Sequence, residues 1–220
     1  MTNTSWAVAG PVRTQARRRG RPPASDSAVT RERILQAARR VFAESGYEAA
    51  TFQAIAVEIG LTRPAINNYF SSKSALYAEV VRRAGDAVLN GIQAAAAEPA
   101  LADQIVGFMR AAIYGENADP ALAGFLVQSA IEAQHLPQFG GESRPSLLIE
   151  RFVRDAVAAA SERGDLPSDS DPLALTDTLV GVVWGAAFQV SRGLHRDTAR
   201  SEGMVDELCV LLQTGVQRAG

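Results

Sequence analysis

Between residues 51 and 73 the chain collects side chains able to bond base edges and phosphate oxygens: Thr51, Thr62, Arg63, Asn67, Asn68, Tyr69 and Lys73. An Asn amide offers donor and acceptor side by side and matches an adenine edge. An Arg fork matches guanine, and Tyr and Lys reach phosphates. Such groups can act in concert only if a rigid element presents them together. The residues between them supply one. Ile55, Ile59, Leu61 and Ile66 form an apolar side, Ala56 is small where two helices would cross, and Gly60 falls where a tight turn needs a left-handed residue. Two short helices joined in this way can lay the second one in the major groove of a duplex. Its outer side would carry Thr62, Arg63, Ala65, Asn67, Asn68 and Tyr69. The plainer alternative is a three-helix core whose exposed polar residues are merely solvated.

A second cluster is Arg17-Arg18-Arg19-Gly20-Arg21-Pro22-Pro23. Arg-Gly-Arg-Pro is similar to an AT-hook core, in which extended Arg side chains such as Arg19 and Arg21 enter a narrow, electronegative minor groove. A solvated tail adding non-specific charge is the competing reading. The charge distribution fits either. Residues 1–75 hold 11 Lys/Arg against 5 Asp/Glu, and residues 76–220 hold 11 against 19, although the whole chain is only −2. Without the arm the excess almost vanishes, so charge alone identifies no partner.

The elements that must position these groups read as helices throughout. Residues 1–26 lack apolar periodicity and read as a disordered basic arm. Ile34, Ala37, Ala38, Val41 and Phe42 recur at helical spacing up to Gly46. Thr51 opens a second helix, Thr62 caps a third, and Ser71 or Ser72 caps a fourth that runs from Lys73 into the mid-nineties, before Pro99. Further helices are expected at about 101–114, 120–134, 146–163, 172–193 and 201–218, separated by Pro- and Gly-containing breaks. No strand-type alternation is evident. The fold class is all-α.

Four stretches in order give the chain a resemblance to the TetR family of regulators: TRERILQAA at 30–38, FAESGY at 42–47, ATFQAIA at 50–56 and GLTRPAINNYFSSKSALY at 60–77. The resemblance implies an N-terminal helix-turn-helix DNA-binding domain at 27–74, and a helical effector-binding and dimerisation domain at 75–220. It implies a phosphate-facing Thr51, a reading helix at 62–69 and a phosphate contact from Lys73. The family usually has Tyr where this chain has Asn67, so one habitual phosphate contact is lost or replaced by base readout. The implied function is a repressor that leaves a near-palindromic double-stranded DNA operator when a small-molecule effector binds. An architectural or effector-independent DNA-binding protein is the alternative.

For the second domain the residues speak more weakly. Leu175, Leu179, Val182, Val183 and Ala186 make one helix apolar on several sides, and Gly181 and Gly185 would allow close helix approach. Val205, Leu208, Cys209, Leu212 and Val216 form a stripe on the last helix. Paired with a second copy, the two helices would build a four-helix homodimer interface. The expected pocket wall is Met109, Ile113, Phe125, Gln128, Phe152, Trp184 and Phe188, with Gln128 and Gln189 as rare polar groups on apolar helices. Little charge is available there, so the expected effector is apolar or aromatic. His135 and His195 stand apart, and the acidic stretch at Asp165, Asp169 and Asp171 lacks the pattern of a calcium loop, so no metal or cofactor is expected. No nucleophile–base set or phosphate-binding loop argues for an enzyme. No apolar run approaches the ~20 residues that cross a bilayer, and the single cysteine, Cys209, excludes an internal disulfide. A cytoplasmic protein without a membrane partner is the expectation.

Overall fold

The computed structural model describes residues 24–114, 120–139, 141, 144–192 and 198–217. These form α1 (Ala24–Ala49), α2 (Phe52–Glu58), α3 (Arg63–Asn67), α4 (Lys73–Ala95), α5 (Leu101–Tyr114), α6 (Pro120–Glu132), α7 (Pro145–Arg163), α8 (Pro172–Ser191) and α9 (Thr198–Gln217). Among the described residues there is no strand. The all-α expectation therefore holds. Helix α1 begins at Ala24, inside the segment expected to be unstructured. Arg19 and Arg21 lie outside the described residues, as does His195.

The capping residues act largely as their chemistry dictates. The Thr51 hydroxyl accepts from Ala54 N–H at 3.1 Å and Ser72 from Ala75 N–H at 3.1 Å, so Ser72 rather than Ser71 starts α4. Asp171 accepts from Leu173 N–H at 2.9 Å, with Pro172 in the first turn of α8. Thr62 occupies the N-cap of α3, but its side chain makes no capping bond.

One buried cluster runs through the molecule from Ile34 on α1 to Val205 on α9. Helix α1 lies against α6 as well as against α2 and α4, so the reading end and the remainder share packing. Helix α8 packs on α6 and α7, burying Leu179, Val183, Ala186 and Val190. Its opposite side is open: Leu173 is 75% exposed, and a Cβ added at Gly181 or Gly185 would meet nothing within 4 Å. The close approach expected at these glycines is therefore not made among the described residues.

The sequence expectation about apolar runs needs correction here. Helix α8 has 20 residues and a mean hydropathy of 1.5, enough by length and composition to cross a membrane. Counting uninterrupted apolar residues misses it, because Thr176, Asp177 and Thr178 break the run while the apolar residues around them keep the average at 1.5. A core helix of a helical bundle passes the same test when it is apolar on more than one side.

Candidate nucleic-acid interface and effector cavity

Helices α2 and α3 are joined by a Schellman turn. Gly60 takes φ +68°, its N–H bonds Val57 O at 3.3 Å, and Leu61 N–H bonds Ala56 O at 2.9 Å. Ile55, Ala56 and Ile66 are fully buried beneath the turn, while Ile59 and Leu61 pack at its edge. Helix α1 braces the unit from behind. Arg33 donates to Ile59 O at 3.0 Å, Arg40 pairs with Glu58, and the Arg31 guanidinium lies 4.8 Å from the Phe70 ring centroid. A five-residue helix cannot hold itself together in water. Its rigidity is borrowed from these contacts.

The outer face of this unit presents Thr51, Thr62, Arg63, Asn67 and Asn68 as exposed side chains. Ala65 is half-buried, and Tyr69 is half-buried and packed on the core, so both sit deeper than the sequence pattern implies. The backbone of Asn68 to Phe70 continues past α3 as a turn bonded to Ala65 and Ile66 carbonyls. Lys73, in the first turn of α4, lies beside this face. Its ammonium donates to Tyr47 O at 2.7 Å and Glu48 O at 2.9 Å, and sits 4.5 Å from the Tyr47 ring centroid. Two of its three donors are thus spent inside the protein, which leaves one for an external anion.

A cluster of ion pairs lies further along α4. Glu79 accepts from Arg82 at 2.9 Å, Arg31 at 3.2 Å and Arg83 at 3.4 Å, and Arg83 also reaches Glu32 at 2.7 Å. The Arg82 hydrogen bond, helped by Arg31, pulls the Glu79 carboxyl down to about 2. This cluster ties the start of α1 to α4.

A small apolar cavity of about 30 Å³ lies between α5, α6, α7 and α8, lined by Phe108, Met109, Leu126, Ile149, Val183 and Trp184 among others. Of the seven residues expected in the wall, it contains Met109 and Trp184. Phe125 is instead buried against Tyr77, with ring centroids 5.8 Å apart, and Phe152 stands behind the wall against Phe108 at 5.3 Å. Phe188 is 46% exposed under the Arg192 guanidinium, and with Gln128 it lines an open surface groove between α1 and α6. The Ile113 side chain lies outside the described residues. Helices apolar on several sides carry no periodicity that fixes which side faces a void, and Phe125, Gln128, Phe152 and Phe188 do not line this cavity. Among the described residues, no group of three His, Cys, Asp or Glu could hold a metal ion.

Sequence reasoning also missed Glu132. It ends α6 and accepts from Tyr47 N–H at 2.7 Å, Gln128 at 3.0 Å and Tyr77 O–H at 3.0 Å. Burial first, and then this carboxylate's charge, push the Tyr77 phenol well above its ordinary range. One signal could have exposed it: Glu132 is the sole charged residue on α6.

A short braced helix with exposed amide and guanidinium groups, set beside a cationic helix start, defines a helix-turn-helix DNA-binding protein. Residues 34–80 match the model of the bacterial regulatory proteins, tetR family. The chain is 23% identical over 189 residues to the HTH-type transcriptional regulator UidR of Escherichia coli strain K12, covering 82% of this chain and 91% of that protein. It is 28% identical over 193 residues to the HTH-type transcriptional repressor AcnR of Corynebacterium efficiens, covering 86% and 93%. Its fold matches the ketosteroid transcriptional regulator KstR2 of Mycobacterium tuberculosis with a TM-score of 0.63 and 19% identity, over 80% of this chain and 92% of that one. Residues 34–80 are thus similar to the DNA-binding region of tetR-family regulators, and the chain over most of its length is similar to HTH-type transcriptional regulators.

Proposed function

We propose that this protein is a repressor of the cytoplasm, acting by binding rather than by catalysis. As a homodimer it places two copies of α3 in successive major grooves of a near-palindromic operator, about 34–36 Å apart or modestly more. The observation that carries this reading is the joint exposure of Thr62, Arg63, Asn67 and Asn68 on a helix whose other face is locked by Ile66. Arg63, Asn67 and Asn68 read bases. Thr51, Tyr69 and Lys73 set the register on phosphates, with Thr62 and Ala65 lining the contact. The arm at 1–23, through Arg19 and Arg21, follows the adjacent minor groove. The natural division is a reading domain at 27–74 and a sensing and dimerisation domain at 75–220.

The dimer forms on the open side of α8 together with α9, where Val210 and Leu211 are 53% and 66% exposed. The effector is a small apolar or aromatic molecule, since Met109 and Trp184 face a cavity of almost wholly apolar lining. At about 30 Å³ that cavity holds roughly one water, whereas ligand pockets run to several hundred Å³. Effector entry therefore spreads α6 and α8 and tilts α4, which changes the separation of the two reading helices. The effector must bind the spread state better than the closed one, or nothing shifts.

Selection of bound sequences from random DNA with the purified protein tests this. The expected result is a palindromic consensus whose half-site spacing matches the dimer. Binding with no preference over competitor DNA at moderate salt ends the reading. The Arg-rich arm favours one other reading, an architectural DNA-binding protein, for which no small molecule would release the protein from DNA.

A further inference from the structure

The backbone of Tyr47 is gripped on both sides of its Cα. Its N–H is held by Glu132 at the end of α6, and its C=O is held by Lys73 at the start of α4. Gly46 makes the first grip possible. A Cβ there would stand 2.5 Å from Glu132 Oε1 and 3.0 Å from Gln128 Nε2. The second carboxylate oxygen takes the Tyr77 hydroxyl at 3.0 Å, one turn along α4 from Lys73. Phe139, just beyond α6, closes the assembly against both rings, 5.3 Å from Tyr47 and 4.9 Å from Tyr77.

We infer that Glu132 is a positioning residue for DNA binding: through the backbone of Tyr47 it holds Lys73 in the geometry from which its remaining donor meets a phosphate. The same helix supplies Ala123 and Leu126 to the apolar cavity, fewer than three turns upstream of Glu132. A displacement of α6 at the cavity therefore reaches the Lys73 ammonium through two hydrogen bonds and the Tyr47 backbone between them, two peptide groups joined at its Cα. Loss of the carboxylate frees the Tyr47 backbone, and Lys73 must then be ordered anew when DNA binds. Ordering one long side chain corresponds to a loss of roughly two- to tenfold in affinity.

This inference rests on the operator-binding reading, and the test separates the two. On the consensus duplex obtained by selection, operator affinity is measured for wild type, Glu132→Ala, Glu132→Gln, Lys73→Ala and the Glu132→Ala/Lys73→Ala double variant. Glu132→Ala is expected to weaken binding about fivefold in the wild-type background and less than twofold once Lys73 is gone. Glu132→Gln keeps an acceptor for Tyr47 N–H and is expected to stay within about twofold of wild type. A merely structural role would cost the same factor in both backgrounds, and that outcome overturns the inference. If Glu132→Ala fails to fold, amide exchange of Tyr47 in the wild-type protein decides. Coupling is reciprocal, so operator DNA must slow that exchange, and an unchanged rate overturns the inference. A wild-type protein without sequence preference removes the operator-binding reading itself, and this inference with it.

Discussion

Replacing Gly46 by Ala probes the joint between α1 and α6 directly. Gly46 has φ 73° and ψ 174°, a region essentially restricted to glycine, which a side chain enters at about 1–3 kcal/mol. The added Cβ would also fall 2.5 Å from Glu132 Oε1, so the carboxylate must withdraw from Tyr47 N–H. Losing a hydrogen bond to a charged group costs about 1.5–3 kcal/mol. Together these give a destabilisation of about 2.5–6 kcal/mol, large for a single substitution. Gly60→Ala supplies an internal control. Its φ is +68°, yet its Cβ would meet nothing within 4 Å, so only backbone strain of about 1 kcal/mol is expected. Urea unfolding at one fixed protein concentration measures both, since dimer stability depends on concentration. Similar losses for the two variants, or a Gly46→Ala loss below about 1 kcal/mol, would refute the role assigned to the Glu132 approach.

Three further outcomes are expected. Lys73→Ala should weaken binding to all DNA sequences alike, with a salt slope smaller by about 1, whereas Asn68→Ala or Arg63→Ala should alter base preference at particular operator positions in a repeat selection. Deleting residues 1–23 should lower both affinity and salt slope in a filter-binding titration, and an unchanged slope would remove the arm from the interface. The Glu79 carboxyl, held near 2 instead of 4.5, stabilises the fold fully above pH 4.5, and this contribution is lost as pH falls through 2. Because the partner Arg82 side chain is 55% exposed, solvent screening limits the effect to about 1–2 kcal/mol. Glu79→Gln should accordingly flatten the acid limb of thermal stability measured between pH 5 and 2.

The reading end was legible because its signals are local. Thr51 and Ser72 cap, Gly60 turns, and Ile55 and Ile66 alternate with polar neighbours at helical spacing, so each residue's place follows from its close neighbours in sequence. The remainder, from α5 to α9, was legible only as a set of helices. α6 and α8 are apolar on several sides, so nothing in their sequence chooses between Phe125, which packs on Tyr77, and Leu126, which lines the cavity. Glu132 stood out only as the lone charge on α6, and its role could not be read because its partners Tyr47 and Tyr77 lie 85 and 55 residues away.

The tightness of the space beside Trp184 has a consequence for any titration. If only a small fraction of molecules is open at a given moment, the observed dissociation constant exceeds the intrinsic one by the inverse of that fraction. Trimming Met109 would then sharpen the response to an inducer without adding a single contact, because the empty protein would already spend more of its time ajar. Sensitivity in such a regulator is written in the packing of its unliganded form as much as in the chemistry of what it detects.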